Sequence, residues 1–297
     1  QLFIRKHQAD DVRALALQAK KYPNVDMPTA ITQIAGRQVA AEKIPSWGEA
    51  EEIWYPKHLS LEQCSSEITA RYKASLLQGE SLTDLTAGFG IDCSFLASGF
   101  QSVTYVERQK ELCEIAAHNF PILNLNHITV RNEDGVAYLT AMSPVDCIFL
   151  DPARRNEHGG KTIAISDCEP DVSELETLLL SKANRIMVKL SPMLDLSLAL
   201  KELGHTQEVH IISVNNECKE LLLLLGQNLP EEVPIHCVNL STKGTQEVQH
   251  FVFTREQEQH NECTYTDTLG NYLYEPNTSL LKAGAFRSIA ATYPVKK

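Results

Sequence analysis

Along residues 9–21 (ADDVRALALQAKK) apolar side chains recur at Val12, Leu15, Ala16 and Ala19, with acids first and lysines last, a period that predicts an amphipathic helix. Residues 28–42, opened by Pro28-Thr29, predict a second helix. Ser60 to Gln78 predict a third, after an irregular stretch holding Trp47, Trp54 and Tyr55. From residue 81 the pattern changes to short apolar runs separated by helical spacings. Strands are expected at 81–85, 102–106, 128–131, 147–150, 185–189 and 207–215, and helices at 91–99, 110–119, 135–141, 172–181 and 194–203. Strands alternating with crossover helices imply a doubly wound, mostly parallel sheet covered on both faces, with ligands outside the carboxyl ends of the strands. After Leu221–Leu225, β-rich runs at 235–240, 249–254 and 261–265 precede a helix over 278–290 that Asn277 can cap. The expected organisation is a helical N-terminal domain (1–78), an α/β domain (79–228) and the beginning of a small α+β domain (229–297).

Composition narrows this picture. A hydrophobic content of 43% with 22% charged residues suits a globular protein and excludes a disordered chain or a coiled coil. The formal net charge of −11 offers no global footprint for nucleic acid. It is unevenly spread, however: residues 1–75 carry 10 basic and 9 acidic side chains, residues 76–230 carry 11 and 21, and residues 231–297 carry 6 and 8. A polyanion would therefore approach the first segment or a local cluster. Eight cysteines, without a C-x-x-C pair and several within apolar runs, read as buried free thiols in a reducing compartment. No apolar stretch approaches the length of a membrane span, and the first residues lack a signal peptide's apolar region, so a soluble cytoplasmic protein is expected. The opening residue is Gln1, which predicts at least one residue before it. The ten histidines show no ligand spacing along the chain, and no metal is expected.

The densest chemical signal is Leu82-Thr83-Asp84-Leu85-Thr86-Ala87-Gly88-Phe89-Gly90-Ile91-Asp92. A strand ending in an acid, then a glycine turn opening a helix, lets backbone N–H groups approach a ligand where a side chain would clash. A tight βα turn with no ligand uses the same residues, so the neighbours decide. The next strand ends in Glu107, whose carboxylate can accept two hydrogen bonds from a ribose diol. Asn132-Glu133-Asp134 follows the third strand, within reach of an adenine amino group, and Asp151-Pro152-Ala153-Arg154-Arg155 follows the fourth. Four consecutive strands thus deliver Asp84, Glu107, Asp134 and Asp151 to one end of the sheet.

With these residues the sequence resembles the class I S-adenosylmethionine-dependent methyltransferases, whose fold is Rossmann-like, over about residues 81–225. DLTAGFGID matches the D-x-x-x-G-x-G loop of that family. The resemblance implies S-adenosyl-L-methionine as cofactor, with Asp84 near its methionine amino group and Thr86, Ala87, Gly88, Phe89 and Gly90 forming the loop. Asp92, Arg108 and Asp151 count with the cofactor residues, Glu107 would take the ribose hydroxyls and Asp134 the adenine. Asp151 and Pro152 would face the transferable methyl group. More narrowly, EQCSSEITARYKA (62–74), DPARR (151–155) and NYLYEPNTSLLKAGAF (271–286) resemble a bacterial methyltransferase family with a THUMP-like C-terminal domain, whose members continue beyond this chain's end. A nicotinamide-dependent enzyme would need a third glycine where this chain has Cys93.

DPARR also resembles the D-P-P-R segment of RNA uracil-C5 methyltransferases, which need a nucleophilic Cys after the following strand. Here Ser191-Pro192 stands there, arguing against covalent uracil chemistry. Enzymes that methylate exocyclic base nitrogens carry an aromatic residue at the position of Arg154, whose guanidinium can stack on a base or hold a phosphate. Arg154 and Arg155 equally suit a role offsetting Asp151 and Glu157. The expected reaction is methyl transfer to a base nitrogen of structured RNA, with Asp151, Pro152 and Arg154 catalytic and Asp151 the general base. RNA is the expected partner, because THUMP domains bind RNA. A non-catalytic RNA-binding protein of the same fold, or a methyltransferase acting on protein or a small molecule, is the alternative. Asn156-Glu157-His158-Gly159-Gly160-Lys161 reads as a mobile lid. Ser65-Ser66-Glu67 and Lys73 read as a cover over the cofactor or as a solvated helix face. Trp47, Trp54 and Tyr55 read as a base-stacking platform or as packing of the N-terminal helices.

Overall fold

The computed structural model describes all residues except 1, 155–163, 243–247, 269 and 294, and except the side chains of residues 58, 59 and 154. The chain forms two compact units, residues 1–141 and 142–297. Its class is α/β with a large, mostly parallel sheet.

In the first unit, α1 (Leu2–Lys6), α2 (Val12–Leu17) and α3 (Met27–Lys43) come first. Asp11 caps α2 by accepting from the N–H groups of Arg13 and Ala14, and Asp26 caps α3 by accepting from Thr29. The predicted helix over 9–21 is shorter, passing into a 3₁₀ turn at Ala19–Lys21. Leu15, Met27 and Ile34 form a small core there, with Phe3, Val12 and Tyr22 packed around it. Next come α4 (Pro45–Gly48), α5 (His58–Gln63) and α6 (Glu67–Ala74). The single helix expected from Ser60 to Gln78 is broken because Cys64 and Ser66 are extended.

Three strands follow, β1 (Ser81–Asp84), β2 (Ser102–Glu107) and β3 (Ile128–Asn132), paired in parallel in that order. They alternate with α7 (Ile91–Leu96), α8 (Lys110–Ile122) and α9 (Gly135–Ala141), the alternation the pattern predicts. The register sets Asp84 beside Tyr105 and Glu107 beside Asn132, so the carboxyl ends of all three strands lie along one edge.

The second unit holds β4 (Val145–Leu150), β5 (Ala153–Arg154), β6 (Cys168–Glu169), α10 (Val172–Lys182), β7 (Ala183–Leu190), α11 (Leu196–Glu202), β8 (Thr206–Val214) and β9 (Glu217–Leu225). After them come β10 (Ile235–Leu240), β11 (Gln249–Phe253), α12 (Arg255–His260), α13 (Thr278–Ala283) and α14 (Phe286–Thr292). The strand order within this unit is β11-β10-β8-β9-β7-β4. β4 pairs with β7, and β8 with β10, in parallel. The β8–β9 pair is antiparallel and lays β9 between β8 and β7. Leu221 to Leu225 of β9 are all fully buried, as an unbroken apolar run demands of a strand covered on both faces.

Two strands from the segment expected to form the C-terminal domain, β10 and β11, extend the sheet from β8. The strand expected at 261–265 is not formed. Thr254 and Gln257 instead close a capping box that starts α12, Thr266 donates its N–H to the Lys297 carbonyl, and Lys297 donates its N–H to the Thr264 carbonyl. The helix expected over 278–290 is two helices, because Gly284 adopts a left-handed conformation (φ 71°) that ends the first. Asn277 caps α13 through the N–H of Leu280, as expected. Among the described residues no helix is long and apolar enough to cross a membrane, and all eight cysteines are free thiols.

A Cβ at Gly135 would stand 2.2 Å from the Leu85 carbonyl oxygen, so the start of α9 can lie against the end of β1 only without a side chain. Gly135→Ala should lower the unfolding free energy by about 2 kcal/mol, as overpacking against rigid backbone does, read as a lower urea midpoint at unchanged slope.

Candidate cofactor-binding site

The glycine turn between β1 and α7 is built from the strand ends. Asp84, 1% exposed at the end of β1, accepts from the N–H of Thr86 at 3.1 Å. Ala87 donates its N–H to the Val106 carbonyl at 3.1 Å, joining the turn to β2. Gly88 and Gly90 have φ values of 54° and 87°, the left-handed region that glycine occupies without strain. A Cβ on Gly90 would also lie 3.0 Å from Phe120 and 3.2 Å from Tyr105. Position 90 thus requires glycine twice over.

Glu107, 8% exposed at the end of β2, accepts from Gly88 N–H at 3.0 Å through one oxygen and from Gln109 N–H at 2.7 Å through the other. A carboxylate has about four acceptor sites, so it retains capacity for hydroxyl donors. The Tyr105 hydroxyl donates to the Gly88 carbonyl. Asn132 at the end of β3 donates to the carbonyls of Glu107 and Arg108, each at 3.0 Å, tying the ends of β2 and β3 together. Asp134 is exposed, and one of its oxygens accepts from Val136 and Ala137 at the start of α9.

The region is electronegative. The Cys93 thiol is pushed well above its ordinary value by burial first and then by the carboxylates of Asp84 and Asp92. Burial followed by Glu107 raises both the Tyr105 phenol and the Cys113 thiol. Such a turn, with two buried carboxylates at adjacent strand ends, suits a ligand that carries positive charge and hydroxyl donors.

Asp92 has partners within the N-terminal helical segment. Its carboxylate lies 3.1 Å from the ammonium of Lys73 and accepts from Ser65 Oγ at 2.7 Å, while Lys73 donates to Ser65 at 3.0 Å. Lys73 has no exposed surface, so the reading of Ser65 and Lys73 as a solvated helix face is overturned. Phe89, the middle residue of the turn, packs edge-on against Trp47 with ring centroids 5.1 Å apart. Trp47 and Tyr55 are each 2% exposed, which makes them packing residues, whereas Trp54 is 43% exposed and stacks on His118 at 3.8 Å. Sequence reasoning missed Tyr105 and the Lys73–Asp92 pair. The one available signal was a lysine inside an apolar helix stripe.

In the second unit, Asp151 follows β4 and accepts from Lys189 Nζ at 2.6 Å. Lys189 lies on β7 with a side chain 10% exposed, and the pairing fixes the orientation of the carboxylate. Lys189 was not singled out in the sequence. Pro152 is buried, and Arg154 lies in the two-residue strand β5. Arg155 and the lid expected over 156–161 lie outside the described residues.

A strand-ending acid, a glycine turn and a second strand-ending acid on parallel strands define the class of methyltransferase-like α/β folds. Among solved structures, a protein of Porphyromonas gingivalis W83 described as a "putative methyltransferase" is 36% identical with a TM-score of 0.83, the alignment covering 97% of this chain and 76% of that one. The chain belongs to the methyltransferase family of that protein. An rRNA methylase of Streptococcus thermophilus is 14% identical with a TM-score of 0.40, over 55% of this chain and 96% of that chain. A Streptococcus mutans "putative methyltransferase" in complex with SAH is 11% identical with a TM-score of 0.38, over 54% and 95%. A family described as a ferredoxin-like domain matches residues 272–297. No curated protein matches the chain.

The buried pair generates a prediction. Lys73→Met should cost about 3–5 kcal/mol of stability, because Asp92 is left as an uncompensated buried charge. Lys73→Met combined with Asp92→Leu should recover most of that loss in urea unfolding, a coupling that independent sites would not show.

Proposed function

We propose that the chain is an S-adenosylmethionine-dependent methyltransferase that modifies a base nitrogen of structured RNA, tRNA or rRNA, in the cytoplasm. The observation that carries the cofactor reading is the pair of buried carboxylates, Asp84 and Glu107, flanking a turn with two left-handed glycines. S-adenosylmethionine carries an ammonium, a sulfonium and a ribose diol, groups that acidic side chains would complement. Asp84 would hold the ammonium, Glu107 the two ribose hydroxyls, and the backbone of Thr86 to Gly90 would lie against the cofactor. Asp92, two residues past the turn, is held by Lys73. Arg108 and Asp134 belong to the same edge, where Asp134 would take the adenine.

When bound, the cofactor supplies a methyl group on a positively charged sulfur. The acceptor nitrogen would take that methyl in line, forming a C–N bond as the methyl–sulfur bond breaks, and would give up a proton. Asp151 accepts that proton, held in orientation by Lys189. Pro152 shapes the turn after β4, and Arg154 would stack on the base or hold a phosphate. Displacement of this kind depends mainly on proximity and exclusion of water. The RNA acceptor is supported by the likeness of 62–74, 151–155 and 271–286 to a family with a THUMP-like domain. The ferredoxin-like match at 272–297 falls in the same C-terminal region.

Calorimetry with S-adenosylmethionine tests the first step: binding is expected, and Glu107→Ala should weaken it at least tenfold. Absence of binding to the intact protein at millimolar cofactor sinks the enzyme reading and leaves a non-catalytic RNA-binding protein. Incubation with methyl-labelled cofactor and total RNA, and separately with protein extract, should label RNA, and Asp151→Asn should slow the transfer about 10²-fold. Label confined to protein refutes the RNA acceptor.

A further inference from the structure

Outside the proposed site, titratable side chains converge on the sheet of the second unit. Glu208 and His210 are two residues apart on β8 and therefore share a face. His236 on β10 stands directly beside His210 in the parallel register, and their rings stack with centroids 4.4 Å apart. Glu208 Oε2 lies 3.3 Å from His210 Nε2, and one ligand atom from each of Glu208, His210 and His236 falls within 4.8 Å of the others. Outer partners hold this group. Arg185 on β7 takes the other oxygen of Glu208 at 3.1 Å, and His250 on β11 meets His236 Nδ1 at 3.0 Å.

We propose that Glu208, His210 and His236 bind one divalent transition-metal ion, zinc by preference, with Arg185 and His250 orienting the ligands. Two imidazoles and a carboxylate form a donor set suited to zinc, with a fourth position for water. Zn–N distances near 2.0–2.1 Å place tetrahedral ligand atoms about 3.3 Å apart. The Glu208–His210 separation already has that value, and side-chain rotation closes the remainder. An imidazole ligand whose other nitrogen is held, and a ligating carboxylate whose second oxygen is held, are the usual surroundings of a bound metal. The absence of ligand spacing along the sequence does not bear on this site, because its ligands come from two strands that meet only in the folded sheet. A metal here would tie β10 to β8 across residues 208–236, and its binding energy would add to folding.

Metal-stripped protein titrated with Zn²⁺ in a calorimeter should take up one equivalent and melt at higher temperature. His236→Gln should raise the dissociation constant at least tenfold and abolish the melting shift, with far-UV circular dichroism reporting that the variant is folded. Glu208→Gln, at a half-exposed carboxylate, keeps the test decisive should the histidine variant not fold. Co²⁺-loaded protein should show visible bands without thiolate charge transfer. No uptake at millimolar Zn²⁺, uptake unchanged in the folded variants, or a thiolate band showing that cysteines hold the metal would each overturn the proposal.

Discussion

An ammonium group with no access to water needs a compensating charge, and in the first unit Lys73 finds it in Asp92. Taking both groups out of water costs several kcal/mol per ion, which only close pairing and added hydrogen bonds offset. Ser65 contributes to both partners and completes the group. The consequence is positional. Asp92 stands two residues after Gly90, so the helix that opens from the glycine turn is clamped to α6 before the sheet. Phe89 adds an apolar clamp through Trp47. The N-terminal helices thereby support the turn through Lys73 and Trp47.

The acidic character of the middle of the chain follows from the same arrangement. Parallel strands bring their carboxyl ends to one edge, and Asp84 and Glu107 sit at two of those ends with almost no exposure. Carboxylates so buried are stable only while N–H groups point at them, and the turn supplies those from Thr86 and Gly88. The net charge of −11 is therefore in part the charge of carboxylates buried at one edge of the sheet, and it decides nothing about the substrate. In the second unit the Asp151–Lys189 pair shows the same economy, a charged group aimed by a nearly buried partner.

Periodicity made the α/β order legible: all six strands expected between 81 and 215 are present, with ends displaced by a residue or two. Where the reading failed, local geometry had intervened. Cys64 and Ser66 adopt extended backbone and break a helix whose apolar period runs on. Gly284 does the same with a left-handed residue. The run Leu221–Leu225 has no period at all, so its direction and its place between β8 and β7 could not be read from it. The glycine turn and its flanking acids were legible because a turn is a local object, specified by neighbours in the chain.

Sequence by itself determined the alternation of strands and helices, the positions of Asp84 and Glu107 at strand ends and of Gly88 and Gly90 in the turn, and the absence of an apolar stretch long enough for a membrane helix. These are short-range properties, fixed by side-chain period and by glycine's freedom at positive φ. Tertiary structure decided what meets across distance: Lys73 with Asp92, Phe89 with Trp47, Asp151 with Lys189, and Glu208 and His210 with His236. Each of those encounters depends on strand register or helix docking, which follow from burying apolar surface over whole elements. No spacing along the chain records them.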